Sequence, residues 1–121
     1  MSDKDTNIDF LKKKIAEFIK ERDWEQFHNP KDLAMSLSIE ASELMELFQW
    51  KTPDEIEKLK SDPKVLHKMR EELADIVIYS LSIANSTGID VSDAIMDKLK
   101  KNAEKYPVEK ARGNAKKYTE L

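Results

Sequence analysis

From Ile8 onward the apolar residues Ile8, Leu11, Ile15, Phe18 and Ile19 recur at three- and four-residue steps, with mostly charged residues between them. That is one face of an amphipathic helix, expected from about Thr6 to Arg22. The period is lost in RDWEQFHNP, which reads as an irregular, aromatic connection. Asn29 followed by Pro30 forms an N-cap and first-turn pair, opening a second long helix to about Trp50. Thr52, Pro53 and Glu55 repeat the signal for a short helix ending near Ser61. A third long helix follows Asp62 and Pro63 and is expected to stop near Gly88, placed as a residue just past a helix end can be. A fourth starts after Asp90 and is closed by Pro107. The segment VEKARGNAKKYTEL, 108–121, is weakly periodic and reads as a tail that folds over a neighbour.

No segment alternates apolar and polar residues for the length of a strand, and only two glycines occur, so the expected class is all-α. The third long helix carries Leu66, Leu73, Val77, Leu81 and Ala84 away from its main stripe. A helix apolar on several sides is covered by its own bundle or by another subunit.

At 121 residues, the chain is expected to be a single domain, 1–121, small enough for oligomerisation to help it. Hydrophobic residues make up 40% and charged residues 37%, which suits a globular helical protein rather than a disordered one. The absence of cysteine excludes a disulfide frame or thiolate chemistry and fits a cytoplasmic setting. No apolar run approaches a membrane span, and MSDKDTN does not read as a signal peptide. A net charge of −3 gives no general attraction to nucleic acid or anionic lipid, leaving a small molecule or a second copy of the chain as the partner.

Four acids change this picture. Glu40 and Glu43 stand three apart in SIEASELMELF, and Glu72 and Asp75 three apart in REELADIVIYSL. At about 100° per residue, Leu33, Leu37, Leu44 and Leu47 fall within about 60° of Glu40, and Val65, Met69, Ile76, Tyr79 and Ile83 within about 60° of Glu72. Each acid therefore sits in the stripe that should face the core. A carboxylate taken from water is destabilising by several kcal/mol unless it is paired, hydrogen-bonded or metal-bound. Only Lys68 lies within helical reach of Glu72, and no basic residue lies so near Glu40, whereas Glu46, Glu55, Glu57 and Glu71 read as solvated or paired acids. Four oxygen donors without histidine or cysteine favour Mg²⁺ or Mn²⁺ over zinc. Mg²⁺ held by carboxylates keeps positions for water and phosphate, which points to phosphate chemistry.

Lys98, Asn102 and Lys105 line one edge of the fourth helix beside Tyr106. They read either as phosphate and sugar ligands or as a solvated edge. Trp24, Phe27 and Trp50 lie in a loop or at a helix end and either cap the core or stack on a flat ligand. Polar groups for the edge of a base would be His28, Asn29 and Gln26. Glu25 and His28 give a Glu-x-x-His spacing of the di-iron kind, but remote from the paired acids, and His67 reads as a surface residue.

The order Glu-x-x-Glu, spacer, Glu-x-x-Asp, filled by Glu40, Glu43, Glu72 and Asp75, resembles the signature of the MazG-like all-α nucleoside triphosphate pyrophosphohydrolases. ERDWEQFHNP, ELFQWK, EELADIVIY, KNAEKYP and KYTEL look like the dCTP pyrophosphatase branch, extending the resemblance from about Phe18 to Leu121. It implies an antiparallel four-helix bundle assembled as a homodimer or homotetramer, with sites near subunit interfaces. It also implies hydrolysis of a nucleoside triphosphate to the monophosphate and pyrophosphate, with Mg²⁺ held by the four acids, which would be the catalytic and metal-binding residues. Trp24 and Trp50 would line the base pocket; Lys98, Asn102 and Lys105 would meet phosphates or sugar, with Tyr79 and Tyr106 nearby. One position departs: where that branch carries a base-facing histidine on the first helix, this chain has Ile15. The substrate expected is dCTP or a related, modified pyrimidine deoxynucleotide. The alternatives are dUTP or a broad range of triphosphates, or, in another class, a non-catalytic helical oligomer stabilised by a cation.

Overall fold

The computed structural model describes residues 1–121 and contains helices and turns without strands. Six α-helices follow in order: α1 Ile8–Glu21, α2 Pro30–Glu46, α3 Pro53–Leu59, α4 Pro63–Thr87, α5 Val91–Lys105 and α6 Val108–Ala111, with single 3₁₀ turns at Glu25–Phe27 and Tyr118–Glu120. The all-α expectation holds. No helix is long and apolar enough to cross a membrane.

The predicted start signals are formed. Asn29 Oδ1 accepts from Asp32 N–H at 2.9 Å, Thr52 Oγ1 from Glu55 N–H at 3.2 Å, and Asp90 Oδ1 from Asp93 N–H at 2.9 Å, each satisfying an otherwise unpaired first-turn donor. Gly88 closes α4 in the left-handed region at φ 72°. α2 ends at Glu46, short of Trp50. Its last hydrogen bonds shorten to three-residue spans, Leu47 N–H to Leu44 O at 3.2 Å and Phe48 N–H to Met45 O at 3.0 Å. Pro53 also disfavours helical geometry at Thr52, so 47–52 becomes a turn.

α1 ends in a Schellman closure with an aspartate in glycine's usual place. Asp23 sits at φ 53°, a region aspartate tolerates better than most residues. Asp23 N–H bonds to Lys20 O at 3.0 Å, and Trp24 N–H to Ile19 O at 3.1 Å. This closure folds Trp24 back over α1.

The chain forms two compact units, Met1–Gly88 and Ile89–Leu121. In the first, α1 and α2 both pack on α4, around Ile19, Leu33, Leu81 and Ala84. Several large apolar residues stay outside this core: Leu66, Leu73 and Val77 on α4, Met35 and Ile39 on α2. The multi-sided apolar character expected of the third long helix is therefore divided, with Leu81 and Ala84 buried and the other three exposed. In the second unit, the segment expected as a tail carries α6 and then returns to α5. The Tyr118 ring meets Tyr106 edge to face at 6.1 Å, under Lys105 Nζ at 4.9 Å.

Candidate functional site

Packing of α2 on α4 gathers carboxylate oxygens of Glu40, Glu43 and Glu72 within 4.8 Å of one another. The i, i+3 spacing places the first two on one side of α2, and α4 supplies the third. Glu72 is only 8% exposed, and its Oε2 is buried with no hydrogen-bond partner. None of the four acids is ion-paired to lysine or arginine. A buried carboxylate oxygen without a partner is costly in free energy, and more so beside two others.

The electrostatic consequence falls on Glu40. Contact with the Glu72 carboxyl is the main cause that raises its pKa to about 7, followed by burial, and then by Glu43 and Asp75. Asp75 thus adds to the same negative field from the next turn of α4. A cation would relieve this repulsion and satisfy Glu72 Oε2. The donors are all hard oxygens, so the arrangement suits a divalent cation that prefers oxygen.

Glu46 is exposed, in keeping with its reading as a solvated or paired acid, and sits with Glu43, Leu47, Lys68 and Glu72 around a hollow of about 410 Å³. Glu55, Glu57 and Glu71 behave as expected: Glu55 bonds Thr52, Glu57 pairs with Lys60 at 2.9 Å, and Glu71 with an exposed His67 at 2.7 Å.

A second hollow, of about 390 Å³, opens between α1, the 3₁₀ turn and α4, with Ile15, Phe18, Trp24, His28, Asp75 and Tyr79 in its wall. Asp75 lines this cleft and also adds to the negative field around Glu40. The Trp24 ring meets Phe18 edge to face at 5.9 Å and lies nearly parallel to His28 at 6.4 Å. The fold thereby makes an aromatic wall that still opens on a cavity.

The expected residues divide as follows. Glu40, Glu43 and Glu72 converge, and Asp75 lies in the cleft wall with Trp24 and Tyr79. Ile15 does line the cleft. Trp50 is 85% exposed, in the turn after α2, and does not line the cleft with Trp24. Lys98, Asn102, Lys105 and Tyr106 lie in the second unit, on α5 and its C-cap. Glu25 and His28 face a smaller cavity with Ser82 and Asn85, outside the acid cluster. The di-iron pattern is not built.

The profile of the MazG-like family matches residues 35–121. The dCTP pyrophosphatase 1 of Mus musculus is 41% identical over 114 residues, 94% of this chain and 67% of that protein. Its counterpart in Homo sapiens is 40% identical over the same shares. Among solved structures, a pyrophosphatase from Archaeoglobus fulgidus superposes with a TM-score of 0.77 at 38% identity, over 83% of this chain and 92% of that one.

Proposed function

Because the chain belongs to the MazG-like family, we propose that it is a metal-dependent nucleotide pyrophosphohydrolase that converts dCTP and water to dCMP and pyrophosphate. The observation that carries this is the cluster of unpaired acids Glu40, Glu43 and Glu72, to whose negative field Asp75 in the wall of the Trp24 cleft adds. Similarity to the two mammalian dCTP pyrophosphatases supports the choice of dCTP.

On this reading Glu40, Glu43, Glu72 and Asp75 hold Mg²⁺, with Mn²⁺ as a substitute. The ion, when bound, neutralises phosphate charge and lowers the pKa of a water nucleophile. The water oxygen bonds to the α-phosphorus, the bond from that phosphorus to the bridging oxygen breaks, and pyrophosphate leaves. One of the four acids accepts the proton that the water gives up. The pyrimidine stacks on Trp24, and Tyr79 lies along the same wall. The resemblance assigns phosphate and sugar contacts to Lys98, Asn102, Lys105 and Tyr106.

The working form is a homodimer or homotetramer. Leu66, Leu73 and Val77 on α4 and Met35 and Ile39 on α2 support it, since so many large apolar side chains left exposed on two helices suit an association surface. Trp50, nearly bare in one copy, is then a base contact completed by assembly.

Incubation with dCTP, dUTP, dTTP and dATP, with and without Mg²⁺, tests the function. Metal-dependent dCMP and pyrophosphate, with dCTP used fastest, is the expected result. Diphosphate with orthophosphate, or no product from any of the four, would overturn it.

A further inference from the structure

One polar group in the wall beside Trp24 has no part in the chemistry above. His28 is half-buried, and its Nδ1 stands 2.6 Å from the Trp24 carbonyl oxygen. A carbonyl only accepts, so Nδ1 carries the proton. In the neutral imidazole Nε2 is then a lone-pair acceptor. It has no hydrogen-bond partner within the protein.

We infer that His28 selects the base: Nε2 accepts a hydrogen from the exocyclic amino group of a cytosine stacked on Trp24, and thereby disfavours uracil. This rests on the nucleotide reading of the cleft. Two geometric facts support it. The imidazole and indole planes differ by only 15°, so a base lying flat on Trp24 is parallel to the imidazole as well. An in-plane lone pair and an in-plane amino hydrogen need that orientation to meet. The acceptor is also tied to the stacking residue by the Nδ1 bond, so the two keep a fixed relation whatever the rest of the cleft does.

The other polar groups in the cleft serve this purpose less well. Lys14 Nζ and the Trp24 indole N–H only donate, and Lys14 pairs with Glu17 at 3.4 Å. Asp75 belongs to the acid field around Glu40. Ser82 gives its proton to Ile78 O at 2.8 Å, leaving its oxygen as an acceptor, and the Tyr79 hydroxyl in the same wall can accept as well; these two are the rivals to be controlled. Uracil presents a carbonyl where cytosine presents its amino group. It would set two acceptors against each other and leave both unsatisfied, a penalty that discriminates by about tenfold or more.

The test is calorimetric binding of the α,β-imido analogues of dCTP and dUTP, with Mg²⁺, to the full-length protein and its variants. The unmodified protein is expected to bind the cytosine analogue at least about tenfold tighter. His28→Asn can keep the bond to the Trp24 carbonyl through its amide but places nothing at the Nε2 position. Its preference is expected to fall below about threefold, while Ser82→Ala and Tyr79→Phe each keep the full preference. If asparagine disturbs the fold by circular dichroism, His28→Phe keeps a ring beside Trp24 without nitrogens, and the same loss is expected. Absence of preference in the unmodified protein, failure to bind either analogue, full preference in the His28 variants, or collapse of preference in Ser82→Ala or Tyr79→Phe alone would each overturn the inference. Turnover of dCTP in the same preparation reads the reaction separately: selective binding without dCMP and pyrophosphate formation would sink the proposed reaction and leave the role of His28 standing.

Discussion

Glu40 on α2 and Glu72 on α4, far apart in sequence, bring carboxylate oxygens within 4.8 Å of each other, and this contact is the main cause that lifts the Glu40 pKa to about 7. A carboxyl raised from its ordinary value of 4.5 favours the fold fully at pH below that value, and its contribution is lost as pH rises through about 7. Without metal, the melting temperature is therefore expected to fall between pH 5 and pH 8. Mg²⁺ is expected to raise it more at pH 8, where the acids are ionised and repel. Equal Mg²⁺ shifts at both pH values in a scanning calorimeter would contradict the arrangement.

Glu40→Gln removes one ligand charge and the repulsion together. Turnover of dCTP is expected to drop on the order of 100-fold or more, the scale on which one preorganised electrostatic group acts, with helix content unchanged. The metal-free variant should also melt higher than the unmodified protein at pH 8. Thermal melts with and without Mg²⁺, beside a pyrophosphate assay, check both halves.

Trp24→Ala deletes the aromatic wall of the cleft. Base stacking is worth roughly 1–3 kcal/mol, so the KM for dCTP is expected to rise between about fivefold and about 150-fold. Because the acids are untouched, kcat should change less than KM. A kcat loss without a KM change would place the base elsewhere.

Leu33 is 2% exposed and is the most deeply buried of the large core side chains. Leu33→Ala leaves a cavity in the core of the unit that holds Glu40 and Glu72, and is expected to destabilise the fold by about 2–5 kcal/mol. Loosening the α2 and α4 pairing should weaken Mg²⁺ binding too. Urea unfolding and metal titration measure the two effects.

Leu73, 56% exposed, tests assembly. If a second copy covers it, Leu73→Asp should reduce the molar mass found by light scattering, because an aspartate buried in an apolar interface is strongly disfavoured. An unchanged mass would remove this face from the interface.

The elements were legible in the sequence because their signals are local. Asn29 with Pro30, Thr52 with Pro53, Asp90, and Gly88 each act on backbone groups within a turn, so helix starts and stops follow from adjacent residues. The paired acids were legible for the same reason: a three-residue step on a helix fixes a common side, and an acid among leucines announces an unmet need for charge. What one turn decides is visible in one turn of sequence. The exception, α2 stopping at Glu46, reflects a gradual tightening of hydrogen bonds with no punctuating residue to mark it.

Tertiary packing alone decided the rest. Only the packing of α2 on α4 brings Glu72 to Glu40 and Glu43 and strips Glu72 Oε2 of partners. The Asp23 closure, a left-handed turn without glycine, aims Trp24 at the cleft and sets His28 parallel to it, and nothing in residues 22–30 advertises that direction. Glu46 facing the hollow and Trp50 facing outward likewise depend on what each helix packs against. Hydrogen bonds within a turn are set by neighbouring residues, whereas proximity between helices depends on which apolar faces meet, a property of the whole fold.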